Sequence, residues 1–195
     1  AAALHVRDLD SNDVEMRDFL IKEGFIKVEM PDIHTMTDLK WKSEQEYLSR
    51  FSSGSRWNFR KLILEKKNNF STRILTSTEE KEKGQPDDWF RLYSNVKNKS
   101  FNINTFTIPV KFFQNLVKHS GWEVIELRLR QSETVPADKE GLLVAVNFCY
   151  RSAENTYSLY AVGLDYEYVI EHGSYRQAMY QSMARAHSLQ CGKFF

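Results

Sequence analysis

The sequence predicts an α+β fold built around an antiparallel meander, on three observations. Residues 122–130 alternate, with Val124, Glu126, Arg128 and Arg130 opposed to Ile125, Leu127 and Leu129, which is the period of a half-buried strand. Apolar stretches 141–150 and 156–168 follow across turn-like gaps at 131–140 and 151–155, so antiparallel hairpins are the natural connections. After His172-Gly173, residues Tyr175, Ala178, Met179, Ser182, Met183, Ala186 and Leu189 form one stripe of the best-defined helix in the chain.

The remaining elements follow from local signals. Val14, Met16, Phe19 and Leu20 predict a helix over 12–23, with Asp10 to Asn12 as capping candidates and Gly24 as its stop. A short strand is expected over 25–30, closed by Pro31. Tyr47, Leu48 and Phe51 sit at helical spacing within 43–52, behind a Ser-x-x-Glu cap of Ser43 and Glu46. A second helix over 56–68 mixes Trp57, Phe59, Leu62 and Ile63 with the basic Arg56, Arg60 and Lys61. Residues 70–75 read as a strand, and 77–84 as a polar, charged connector that marks the main organisational boundary. Asp87 and Asp88 can cap a helix through Trp89, Phe90, Leu92, Tyr93 and Val96. Pro109 opens another through Phe112, Phe113, Leu116 and Val117, ended by Gly121.

Bulk properties narrow the function. With 42% hydrophobic and 27% charged residues over 195 positions, the chain can bury a core and is not a disordered or fibrous sequence. Lys and Arg total 27 against 26 Asp and Glu, so a polyanion would need a local patch rather than a global field. Cys149 and Cys191 are isolated in apolar surroundings, as expected of reduced buried thiols. The five histidines are dispersed, so no metal site is expected. No phosphate-binding loop, His-Glu-x-x-His or Gly-x-Ser-x-Gly motif occurs. No apolar run approaches the roughly 20 residues of a membrane helix, and residues 1–10 carry no signal-peptide pattern. A cytoplasmic location without a membrane span is the expectation, and the chain reads as a piece of a longer protein.

The order strand, helix, helix, three antiparallel strands, helix, strand is used by few α+β folds. Trp89-Phe90-Arg91-Leu92-Tyr93, Phe106-Thr107-Ile108-Pro109 with Phe112-Phe113, Val144-Ala145-Val146-Asn147-Phe148, and Gly163-Leu164-Asp165-Tyr166 before His172-Gly173-Ser174-Tyr175 together resemble the GNAT acyltransferase domains of Fem-like peptidoglycan transferases and their relatives. The resemblance covers about 70–195 and implies a mixed, mainly antiparallel sheet flanked by helices, truncated at its C-terminal end. Residues 1–69 are then either a helical linking region or the tail of a first GNAT unit in a tandem arrangement.

That resemblance implies an acyl-CoA donor whose pyrophosphate meets backbone N–H groups at a strand-to-helix junction. The junction here is 172–176. Gly173 would let phosphates approach the backbone, Ser174 would cap the helix or bond an oxygen, and Arg176 would pair with a phosphate. Only one glycine is present where the usual loop has two, and the alternative reading of His172-Gly173-Ser174 is a plain loop and helix cap. Amide formation needs a base and an orienting donor. Asp165 or His172 is the expected base, with Tyr175 orienting the acyl group and Tyr157 and Tyr160 as further phenols. Packing or turn roles are the competing explanation for each. Asn147, an amide in an apolar strand, would bind substrate or a neighbouring backbone. Arg56, Trp57 and Arg60 form a basic, aromatic tract that is either a solvated helix face or a surface for a nucleotide-linked acceptor or transfer RNA.

The resulting expectation is transfer of an acyl or aminoacyl group from acyl-CoA, or from aminoacyl-tRNA, to a small-molecule amine. The alternative is a degenerate GNAT domain that binds or associates within a larger enzyme.

Overall fold

The computed structural model describes residues 4, 6, 9–10, 12–28, 34–99, 107–132 and 135–195. Backbone contacts divide the chain into two units, 1–33 and 34–195. The first contains α1 (Val14–Lys22). Its cap is Asp13, one residue beyond the expected candidates, with Oδ1 accepting from Met16 N–H at 3.0 Å. Gly24 follows with φ +89°, a left-handed conformation that costs glycine little. Residues 25–28 are not in a strand; alternation makes a strand only beside a neighbour to pair with. Residues 29–31 lie outside the described residues.

In the second unit the spatial strand order follows the chain: β1 (Phe70–Leu75), β2 (Trp122–Leu129), β3 (Leu143–Arg151), β4 (Thr156–Leu164) and β5 (Lys193–Phe194). The first four are antiparallel, and β5 runs parallel to β4, pairing Thr156 with Lys193 and Tyr157 with Phe194. The class is α+β with a mixed sheet. Register places Ile125, Asn147 and Val162 across the middle of the sheet. A bulge at Phe148/Cys149 leaves Tyr160 of β4 without an opposite residue, which locally sharpens the twist. Beyond Leu159 the outer edge of β4 has no strand beside it among the described residues. The expected strand 156–168 stops at Leu164 because the Asp165 side chain caps a 3-10 turn over Tyr166–Tyr168.

Both faces of the sheet are covered, which is why Leu143 to Cys149 are buried without a break. On one face, α5 (Pro86–Lys99) and α6 (Val110–Leu116) bury Trp89, Leu92, Phe113 and Leu116 against Val124, Val146 and Phe148. This face also carries Glu126, which alternation places outward; it is fully buried, accepting from Trp89 Nε1 at 2.8 Å and held by Arg128 at 3.1 Å and Arg73 at 3.4 Å. On the other face lie α7 (Ser174–Ser188), α2 (Glu44–Ser49) and α3 (Ser53–Phe59), with Leu39, Tyr47, Ile125, Tyr157 and Met183 forming a shared core. Residues 44–69 therefore pack within the same unit as the sheet.

Two segments differ from the sequence expectation. The helix predicted over 56–68 starts three residues earlier, because Ser52 Oγ accepts from Ser55 N–H at 3.3 Å. It passes at Arg60 into a π turn, Arg60–Leu64, closed by Glu65 N–H on Arg60 O at 2.9 Å. The polar connector 77–84 holds a short helix, α4 (Thr78–Glu82), started by a capping box of Ser77 and Glu80. Its Lys81 is buried, with Nζ donating to the carbonyls of His119 and, at 3.0 Å, Trp122, so α4 is tied to the start of β2. Burial lowers the Lys81 pKa. Among the described residues no helix is long and apolar enough to cross a membrane.

Gly163 lies where α5 closes on the sheet: an added Cβ would lie 2.7 Å from Tyr93 N and 2.8 Å from Leu92 Cβ. Backbone on a helix cannot yield cheaply, so Gly163→Ala should destabilise the protein by about 1–3 kcal/mol in denaturant unfolding. The carboxylate of Glu80 accepts from Thr76 N–H at 2.8 Å and Ser77 N–H at 3.1 Å, which lowers its pKa from 4.5 to about 2. Its folded value lies below its unfolded one, so this stabilisation is complete above the unfolded pKa and is lost as pH falls toward the folded one. The stability difference between wild type and Glu80→Gln should therefore shrink across that acidic interval in chemical unfolding.

Candidate functional site

The site is set by what holds α7 on the sheet. Glu123 of β2 accepts from Arg185 of α7 through both carboxylate oxygens, at 2.9 and 2.8 Å, and from Tyr157 Oη at 2.8 Å. Such a forked pair fixes direction as well as distance. Nearer the start of α7, the Asn147 amide of β3 donates to Ala178 O at 2.7 Å and Ser182 Oγ at 2.6 Å. Asn147 thus bonds a neighbouring backbone carbonyl, while its Oδ1 has no hydrogen-bond partner among the described residues.

With its axis fixed, α7 begins at Gly173, whose φ of +75° turns the chain into the first helical turn. The segment before β1 closes on this point. A Cβ on Gly173 would meet Lys66 Cδ at 3.2 Å and Leu62 O at 3.3 Å. Lys66 Nζ donates to Glu171 O and, at 3.4 Å, to Ile170 O. The first bond of the helix is Gln177 N–H to Gly173 O at 3.0 Å. Ahead of it, the backbone donors of the first turn have no partner within the helix, and the dipole gathers positive potential.

Polar side chains are buried at the same place. Ser174 is wholly buried, Gln177 nearly so and His172 5% exposed, and among the described residues Ser174 Oγ, His172 Nδ1 and both polar atoms of the Gln177 amide have no hydrogen-bond partner. Each such group costs roughly 1–3 kcal/mol if left unsatisfied. His172 Nε2 lies 3.9 Å from the Glu171 carboxylate, and its ring centroid lies 5.6 Å from that of Tyr168.

A cleft of about 410 Å3 opens beside this helix start, between α3 with its π turn and α7. Phe51, Phe59, Leu62 and Ile63 give it apolar walls, Ser55 and Asn58 a neutral polar margin, and Arg176 its cation. A smaller cavity of about 160 Å3 lies further along α7, among Trp41, Tyr47, Tyr180 and Met183, with Glu44 at its margin.

The structure thus brings His172, Gly173, Ser174 and Arg176 to one helix start, with Tyr175 on the same turn and 44% exposed. The other expected residues have visible engagements. Asp165 Oδ1 accepts from Glu167 N–H at 3.2 Å. Tyr157 is tied to Glu123 and its pKa is raised by burial, while Tyr160 stacks obliquely on Phe112 at 5.6 Å and meets Trp122 edge-on at 5.2 Å. Arg56 Nη1 donates to Phe51 O at 2.6 Å, Trp57 is 61% exposed, and Arg60 enters the π turn that lines the cleft. Cys149 is wholly buried, and burial pushes its thiol up to about 11, which disfavours the reactive thiolate. Among the described residues no group of three or more His, Cys, Asp or Glu side chains is placed to hold a metal.

No protein-family model and no curated protein matches the chain.

Gln177 and Lys66 were missed as parts of this site. For Gln177 the signal was available, since a polar residue three positions after Ser174 falls in the buried stripe of an amphipathic helix. Lys66 had no such signal, because its role depends on a contact 104 residues away in sequence. If the buried amide of Gln177 is a cost tolerated for binding, Gln177→Met should raise stability by about 1 kcal/mol in urea unfolding.

Proposed function

We propose that the chain carries an acyltransferase domain of the GNAT type, moving an acyl or aminoacyl group from a thioester or ester donor onto an amine. The observation that carries this reading is the set of buried polar groups of His172, Ser174 and Gln177, without partners among the described residues, at the start of a 15-residue helix. Backbone donors without an intrahelical partner and the cation of Arg176 lie at the same place. This is a chemistry suited to phosphate oxygens. The element order and the parallel β4–β5 pair support the fold assignment.

Gly173, Ser174 and Arg176 would hold the phosphates of an acyl-CoA, which would supply an activated acyl group. In this reading the amine nitrogen attacks the acyl carbon, a C–N bond forms as the bond to the donor's sulfur or oxygen breaks, and the amine proton passes to His172. His172 suits that role better than Asp165, because its Nδ1 has no partner among the described residues whereas Asp165 is engaged in its turn. Tyr175, on the first turn, orients the acyl group.

The test is calorimetric titration with coenzyme A and acetyl-coenzyme A, beside the double substitution Ser174→Ala with Arg176→Ala. Micromolar binding that weakens at least about tenfold in the variant is expected, from loss of charge-assisted contacts. A folded protein that binds neither compound overturns the acyl-CoA donor. Trp57 and Arg60 favour an aminoacyl-tRNA donor in that event, recognised by RNA binding that falls steeply with salt.

A further inference from the structure

We propose that the cleft between α3 and α7 is a binding site for a small amphipathic carboxylate, with its apolar tail among Phe51, Phe59, Leu62 and Ile63 and its anionic head on Arg176. The proposal stands apart from the acyl-transfer reading and shares only Arg176 with it.

Volume is the first argument. At about 410 Å3, the cleft falls within the roughly 300–1,000 Å3 of ligand pockets, and its apolar walls with a few polar groups have the composition such pockets show.

Charge is the second. Among the described residues the lining contains one cation and no acid, and Arg176 forms no ion pair. Glu65, the acid following the π turn, is engaged with Lys61 at 3.0 Å. Arg176 also stands in the first turn of α7, where the helix dipole adds to its positive potential. An anion is therefore the complementary head group. A single planar guanidinium matches a carboxylate through two parallel bonds.

The third argument is the helix geometry. Leu62 and Ile63 belong to the π turn Arg60–Leu64, a rare form that recurs at functional sites. Here the irregular turn supplies part of the apolar wall, while Ser55 and Asn58 on the regular turns before it leave the mouth open and uncharged.

The experiment is titration of the full chain with decanoate, decanol and decyltrimethylammonium, read by calorimetry and by backbone amide NMR shifts. Decanoate should saturate one site at least about tenfold more tightly than decanol, through the charge-assisted contact, with shifts confined to 51–64 and 173–177. Arg176→Gln should abolish the preference for decanoate over decanol. Ser55→Trp, at an exposed margin of the cleft, should abolish binding of both while leaving coenzyme A titration unchanged. Equal affinity for decanoate and decanol, tighter binding of the cationic probe, no saturable binding, or decanoate binding unaffected by a folded Ser55→Trp variant overturns the proposal. A failure of coenzyme A binding alone leaves these outcomes unaffected.

Discussion

The fork between Glu123 and Arg185 is the interaction on which the candidate site depends. A carboxylate taken out of water is costly unless its oxygens are bonded; here two bonds come from Arg185 and a third from Tyr157. The two charged partners sit on different elements, a strand of the sheet and the last turns of α7, so the pair sets where the helix lies as well as that it packs. Asn147 adds a second point of attachment at Ala178 and Ser182. With two polar pins and an apolar underside, α7 cannot rotate or slide without leaving buried groups unbonded. Its first turn is thereby held against Leu62 and Lys66.

Much of the architecture was legible because it rests on periodicity. The period-two run at 122–130 and the stripe from Tyr175 to Leu189 gave β2 and α7, and His172-Gly173 marked the start of the helix. Strand β1 was found over its full length. What stayed hidden depends on which face is covered. Glu126 alternates as an outward residue, yet outward here means toward Trp89 and α5. The same logic hid Lys81, whose polar stretch reads as a connector until the carbonyls of His119 and Trp122 are brought beside it. A buried charge is chosen by distant partners, and distant partners leave no local trace.

The candidate site divides in the same way. Gly173, Ser174 and Arg176 were visible because a helix start has its own grammar of caps and free donors. The cleft was not, since it arises from α3 turning into a π segment and meeting α7 more than a hundred positions later. The basic, aromatic tract at Arg56, Trp57 and Arg60 lies in the stretch that borders the cleft, although the residues facing the cleft are their neighbours Ser55, Asn58, Phe59 and Leu62. On a helix, adjacent residues point in directions about 100° apart, so locating a stretch is easier than locating its working face.

β5 pairs with β4 over two residues only, and on its other side Phe194 exchanges both backbone bonds with Met36, at 2.8 and 2.9 Å. So short a strand gains little from its own ladder, and its persistence is tied to a residue near the opposite end of the same unit. Opening of the stretch around Met36 would release the amide of Phe194, and fraying of β5 would release that of Met36. The two should exchange their hydrogens with solvent at matched rates, as one cooperative segment, although 158 positions separate them in the chain.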